Sequence, residues 1–241
     1  MRLVSGVLVL IRDVVVANFF GASAGADAFF VAFKIPNFFR RLFAEGAFSQ
    51  AFVPVFSEYK TQRSVSDVRQ LANFVSGCLG FVLLVVTLVA MAGAPWLTAL
   101  FAPGFIDEPQ KYALASEMLR ITFPYLMLIS MTAFAGSILN SYGYFAVPAF
   151  TPVLLNVCLI VATVSVAPHM DNPILALAGG VFVSGVVQLL FQLPFLAQIG
   201  MLLRPRLSLA HAGMRKVGRL IVPALLGVSV AQVNILLNTL M

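Results

Sequence analysis

The sequence predicts an all-α fold, a polytopic membrane helix bundle with about seven transmembrane helices. Three features of the chain point there. Of the 241 residues, 61% are hydrophobic and 10% charged, with mean hydropathy +0.99, whereas an ordinary soluble domain is about 25% charged. The apolar runs are long and uniform, unlike the alternating stretches of about 10 residues that a transmembrane barrel needs. Basic residues collect in alternate connecting loops, as a multi-pass topology requires.

The first segment, residues 1–20, just suffices to cross a hydrocarbon core of about 30 Å. It carries Arg12 and Asp13 in its middle. These neighbours either neutralise each other, or Arg12 faces a cavity with Asp13 orienting it; adjacent residues on a helix do not share a face. A small-residue turn, Gly21 to Gly25, leads into the most informative stretch, residues 27–60. It is apolar enough to enter a membrane, yet it holds Asp27, Lys34, Arg40, Arg41 and Glu45 and is interrupted by Pro36, Gly46 and Pro54. An ionised side chain at bilayer depth costs at least about 3 kcal/mol, so the charged side of this segment is expected to look into a hydrated, protein-lined cavity. On a straight helix Asp27, Lys34 and Arg41 fall on one stripe. Pro36 disturbs the register beyond it, so the residues leave open whether Arg40 or Arg41 points inward. A single helix from Asp27 to Ser57 would be roughly 45 Å long.

Residues 58–69 read as a polar loop with Lys60, Arg63 and Arg69. The third segment, about 71–101, is an ordinary span ending near the interfacial residue Trp96. The fourth, about 112–140, carries Glu117 and Arg120, spaced to pair near its start. The fifth, about 146–167, contains Pro148, Pro152 and Asn156; the sixth, about 173–200, contains Gln188 and Gln192 on one face, suited to interhelical hydrogen bonds or to a cavity wall. A second basic loop, 201–219, holds Arg204, Arg206, Arg215, Lys216 and Arg219, and a seventh segment fills 220–241. The domain organisation expected is therefore a six-helix lobe over 1–200, a basic loop over 201–219, and a further helix over 220–241. Basic residues lie after segments two and six, whereas the loops after one, three and five hold only Lys111. The positive-inside rule then places the N-terminus in the cytoplasm.

The net charge of +6 is scattered over loops and helix interiors, with no aromatic-interleaved basic surface of the kind that binds nucleic acid. Cys78 and Cys158 lie in apolar runs and read as packing residues. No phosphate-binding loop and no H-E-x-x-H pattern is present, and His169 and His211 are lone loop residues. Neither catalytic residue, metal site nor cofactor is expected. Intramembrane cations without catalytic partners point to recognition of an anion inside the bilayer, and hence to transport rather than enzymatic chemistry.

Several motifs resemble the MurJ (MviN) family of lipid II flippases, within the wider superfamily of multidrug, oligosaccharidyl-lipid and polysaccharide exporters. They are Arg12-Asp13, Asp27-Ala28-Phe29, Lys34-Ile35-Pro36-Asn37, Arg40-Arg41 and Ala44-Glu45-Gly46-Ala47-Phe48-Ser49. Ala102-Pro103-Gly104-Phe105, Phe123-Pro124-Tyr125, Pro148-Ala149-Phe150, Leu154-Leu155-Asn156, Gln192-Leu193-Pro194 and Gly227-Val228-Ser229 follow in family order. The resemblance implies a bacterial inner-membrane protein that moves lipid II, an undecaprenyl-pyrophosphate-linked peptidoglycan precursor, to the periplasmic leaflet. It implies a partial chain: the first lobe of a two-lobe transporter plus the first helix of a missing second lobe. It also implies that Arg12 and Arg40 meet the pyrophosphate, that Asp27 lies near the periplasmic closure, and that Asp13, Asn37 and Glu45 support the cavity walls. Lys34 and Arg41 are carried as further supporting cations. The chain departs from the family where Ser-Arg-x-x-Gly is usual: here Ser5-Gly6-Val7-Leu8-Val9 replaces a cavity arginine by Gly6. Two alternatives stand beside this reading: an exporter of another polyprenyl-linked saccharide, and an inactive scaffold fragment.

Overall fold

The structure is a computed structural model. It describes residues 2–21, 23–40, 48–207, 213–221, 223–224 and 227, with side chains from Gly6 onward. All regular structure among these residues is helical. Among the described residues nine α-helices follow in order: α1 (Arg2–Phe20), α2 (Ala24–Arg40), α3 (Ser49–Gln62), α4 (Val65–Ala92), α5 (Ala94–Phe101), α6 (Pro109–Thr122), α7 (Pro124–Ser141), α8 (Ala146–Val161) and α9 (Leu175–Gln198). Residues 213–221 form a further helical stretch.

The boundaries have local causes. The positive φ of Gly21 (61°) suits a residue without a Cβ and separates α1 from α2. Ser64 caps α4, its hydroxyl accepting from the Asp67 amide while the Asp67 carboxylate accepts from the Ser64 amide, which satisfies donors otherwise orphaned at a helix start. Pro109 and Pro124 each open a helix at its first turn, where the missing N–H costs nothing. α8 continues into a π-turn over Ala162–Val166 and a 3-10 turn over Ala167–His169.

Two stretches are divided differently from the expectation. The third segment is two helices, broken at Gly93 just ahead of Pro95, whose missing N–H cannot continue the hydrogen-bond ladder of α4 but is tolerated in the first turn of α5. The stretch 58–69 is helical apart from Arg63 and Ser64, because α3 runs on to Gln62 and α4 begins at Val65. The expected single helix from Asp27 to Ser57 includes residues 41–47, which lie outside the described residues; α2 is described as far as Arg40 and α3 from Ser49. Glu117 and Arg120 form no ion pair; Arg120 Nε donates instead to the Met91 carbonyl at 3.4 Å.

Among the described residues, four stretches are long and apolar enough to cross a membrane: Val65–Ala92, Pro109–Ser141, Ala146–His169 and Leu175–Gln198. α7 packs along α9, α2 along α6, and α8 lies between α1 and α9. Close approach of α7 and α9 needs Gly185, where a Cβ would stand 2.9 Å from the Tyr125 ring. Small residues of this kind let membrane helices gain van der Waals contact that the lipid-facing side cannot supply. Phenylalanines fill the two cores. Phe29, Phe123, Met118, Leu126 and Leu177 anchor one. Phe52, Phe56, Phe134 and Leu139 anchor the other, with Phe52 edge-on to Phe134 at 4.8 Å. The outer side of α4 leaves Phe81, Val82, Val85, Leu88 and Val89 exposed, as a lipid-facing helix does.

The connections sort to two ends. At one end the Lys60 ammonium donates to the Ser141 carbonyl, Lys216 pairs with Glu58, and Arg206 N donates to Asn73 O at 3.0 Å. This end carries the basic loops. At the other, Lys111 Nζ lies 3.0 Å from Asp27 and 3.7 Å from Glu108, and Gly25 packs against Ile174.

Candidate functional site

The site begins with a proline. Pro36 has no N–H, so within α2 the carbonyl four residues earlier, that of Ala32, loses its helical donor. Thr122, fully buried on α6, supplies the substitute: its hydroxyl donates to Ala32 O at 2.9 Å. The same device recurs in α8, where Pro152 leaves the Pro148 carbonyl open and Thr151 donates to it at 2.8 Å. Both repairs satisfy backbone groups where water is scarce.

Immediately after Pro36, Asn37 Nδ2 donates to Phe33 O at 2.9 Å and its Oδ1 accepts from Arg40 Nε at 3.2 Å. Arg40, in the last turn of α2, is thereby held on the wall of a cavity of about 350 Å³. Thr132, Ser137 and Asn140 of α7, Thr151 of α8, and Gln188 and Gln192 of α9 complete its polar lining, with Tyr125 and Ile129 among the rest. The two glutamines are each 1% exposed. Among the described residues no hydrogen bond reaches Gln192 Oε1, a buried acceptor beside the cavity.

Arg12 sits elsewhere. Its Nη2 and Nε donate to Asp13 Oδ1 at 2.6 and 2.9 Å, and its Nη1 to Asn156 Oδ1 of α8 at 3.1 Å. The neighbours on α1 therefore do pair, by bending long side chains toward each other, and Arg12 also crosses to α8. It lines a separate cavity of about 260 Å³ whose walls include Phe29, Phe30, Phe33, Leu159 and Leu177. The two arginines are connected through α8, because Asn156 Nδ2 donates to Pro152 O at 2.9 Å and Pro152 borders the Arg40 cavity.

The remaining predicted residues distribute as follows. Asp13 is half exposed beside Arg12. Asp27 is at the opposite end, paired with Lys111, whose ammonium also lies 4.5 Å from the Phe105 ring centre. Lys34 is exposed and lines neither cavity. Asn37 lies with Arg40. Arg41 and Glu45 fall outside the described residues. Sequence reasoning missed Thr122 and the α7 polar row Thr132, Ser137 and Asn140. The latter was detectable as polar residues recurring at about helical spacing inside an apolar run. It also missed Lys111 as a partner of Asp27, a pairing that joins residues distant in sequence.

A helix bundle with membrane-length apolar helices around a polar cavity defines a multi-pass membrane protein. The comparison with known proteins narrows the class. A sequence model of the family "Lipid II flippase MurJ" matches residues 16–241, and the chain belongs to that family, whose namesake activity is transport rather than a chemical step. It is 49% identical over 246 residues to "Probable lipid II flippase MurJ" of Haemophilus influenzae, covering 99% of this chain and 48% of that protein. It is 46% identical over 241 residues to "Lipid II flippase MurJ" of Burkholderia cenocepacia, covering 98% and 47%. A solved structure, "Lipid II flippase MurJ, inward closed conformation", superposes with a TM-score of 0.71 at 25% identity over 95% of this chain and 47% of that one. The chain thus spans about half the length of the curated relatives it matches.

Proposed function

We propose that this chain is the first lobe of a lipid II flippase, with residues 1–200 forming six spans, 201–219 a cytoplasmic basic connection, and 220–241 the first helix of a second lobe. It resides in the bacterial inner membrane with its N-terminus in the cytoplasm, so the end carrying Lys60, Arg69, Arg204, Arg206 and Lys216 faces inward, as the positive-inside rule asks. The substrate is the undecaprenyl-pyrophosphate-linked saccharide, and its other partners are membrane lipids and the second lobe.

The observation that carries the reading is Arg40, held by Asn37 on a polar cavity inside an otherwise apolar bundle, in a chain of this family. A pyrophosphate cannot cross hydrocarbon bare, because desolvating its charge is prohibitive. A guanidinium stays charged at every physiological pH and offers paired donors to phosphate oxygens. Arg40 takes the pyrophosphate directly. Arg12 joins it when the lobes rock about the midplane site, exchanging its Asp13 and Asn156 contacts for phosphate oxygens. Asn37 orients Arg40, Asp13 holds Arg12 between cycles, and the Asp27–Lys111 pair closes the periplasmic end. Lys34, Arg41 and Glu45 tune the charge of the same walls.

Complementation tests this. Cells depleted of their own lipid II flippase receive the chain alone or fused to a second lobe from a relative, and survival and surface-exposed lipid II are scored. Rescue by the fusion alone is the expected result. Rescue by neither, with normal membrane insertion, overturns the proposal.

A further inference from the structure

At the basic end, α4 carries a stripe that continues from water into the bundle's apolar flank. Ser66, Arg69 and Asn73 lie one turn apart on it, followed by Gly77, Gly80 and Leu84. The chain after α9 crosses this stripe at its middle. Asn73 fastens the crossing: its Oδ1 accepts from Arg204 N at 2.8 Å and its backbone carbonyl from Arg206 N at 3.0 Å. Gly77 makes room for it, since a Cβ there would stand 2.2 Å from the Arg206 carbonyl oxygen.

The crossing segment divides its side chains. Arg204 and Arg206 join Arg69 around a groove of about 480 Å³ on the watery side. Pro205 and Leu207 turn to a second groove, of about 350 Å³, floored by Gly77, Gly80, Phe81 and Leu84 of α4 and by Met127 and Met131 of α7. The first groove has three guanidinium groups and no carboxylate in its lining, and among the described residues none of the three is ion-paired. The second is almost wholly apolar, with Leu207 66% exposed at its mouth. From Arg69 to Leu84 the helix axis runs about 22 Å, which is one leaflet, headgroup region included.

We propose that these two grooves form one binding site for an anionic phospholipid. The phosphodiester headgroup sits among Arg69, Arg204 and Arg206, and an acyl chain lies along Gly80, Phe81, Leu84 and Met131. Three guanidiniums, unpaired among the described residues, attract an anionic headgroup at the membrane boundary. The apolar groove directly below selects a lipid over a free anion. The site lies apart from both arginine cavities and does not depend on the transport reading. It requires only that α4 spans the bilayer.

The full chain is placed in nanodiscs of phosphatidylcholine with one-fifth phosphatidylglycerol, extracted gently, and weighed intact by native mass spectrometry to count each lipid retained. Phosphatidylglycerol is expected to be retained in clear preference. Arg69→Gln, Arg204→Gln and Arg206→Gln should each lower that preference about fivefold, and the triple variant should abolish it. Gly80→Leu, which fills the apolar groove, should lower retention of phosphatidylglycerol with the arginines intact. Equal retention of the two lipids, or an unchanged triple variant, overturns the proposal. So does displacement of bound phosphatidylglycerol by millimolar glycerol phosphate, which would mark a site for soluble anions. If a variant does not insert, wild-type protein and a phosphatidylglycerol with a photoreactive acyl chain give the answer. Labelling within 77–84, 127–131 or 205–207 supports the site, and labelling confined elsewhere sinks it.

Discussion

Arg12 and Arg40 are the same side chain in two different settings. Arg12 stands among phenylalanines and leucines with a carboxylate as its next residue in sequence and an amide from α8 across the gap. Arg40 stands among hydroxyls and amides contributed by α7, α8 and α9, positioned by Asn37. The contrast has a physical source. A cation whose cavity walls are mostly apolar finds few dipoles there to share its charge, and a nearby counter-ion offsets that. A cation on a polar wall is kept solvated by the cavity and can turn donors toward an arriving anion.

The sharpest break of that contrast is Arg40→Ala in the chain fused to a second lobe. It should abolish rescue of flippase-depleted cells while protein level in the membrane persists, and full rescue would remove Arg40 from the substrate path. Arg40→Lys should also be impaired, because a single ammonium cannot reproduce the paired donors of a guanidinium. Next in size is the proline repair that supports the Arg40 wall. Thr122→Val leaves the Ala32 carbonyl buried without a donor and should cost about 1–3 kcal/mol in a detergent unfolding titration. Pro36→Ala restores the in-helix donor, so in the double variant most of that loss should vanish; strictly additive effects would show that Thr122 does not act through Ala32. Smaller still is Asp13→Asn. Asp13 is 56% exposed, so the pair contributes at most about 1 kcal/mol, and the same titration should move little. A large loss would mean that the Arg12 pocket is drier than its geometry suggests. Smallest in stability is Gly6→Arg. A Cβ at Gly6 meets nothing within 4 Å, so the substitution should leave unfolding unchanged. In the fusion it should raise surface lipid II if α1 turns this residue toward the substrate.

Much of this was legible in the chain. Composition and run length are one-dimensional properties, and they announced helices of membrane length. Loop charge also read through: the connections carrying Lys60 and Lys216 do meet at one end, against Ser141 and Glu58. Arg12 and the Arg40-Arg41 pair stood out because a cation in an apolar run is conspicuous in any register, but spacing left open which of the pair points inward, and only the family resemblance favoured Arg40. What did not read through was pairing. The pairing of the neighbours Arg12 and Asp13 was one of two readings the sequence left open, and long side chains folding back across the helix decided it. Lys111 and Asp27, or Arg204 and Asn73, meet only because distant helices do, and nothing in either local stretch signals the other. The break at Gly93 was hidden because Gly and Pro are ordinary inside membrane helices.

The sequence by itself determined the class, the family and the sign of the charge at each end, since these follow from residue types summed along the chain. The tertiary structure alone decided which polar groups face one another. It divided the two arginines between separate cavities, and it gave the Ala32 carbonyl to Thr122 across 90 residues. It also laid residues 204–206 over Gly77. Those outcomes depend on how side chains from separate helices meet within a few ångströms, a distance that no local spacing encodes.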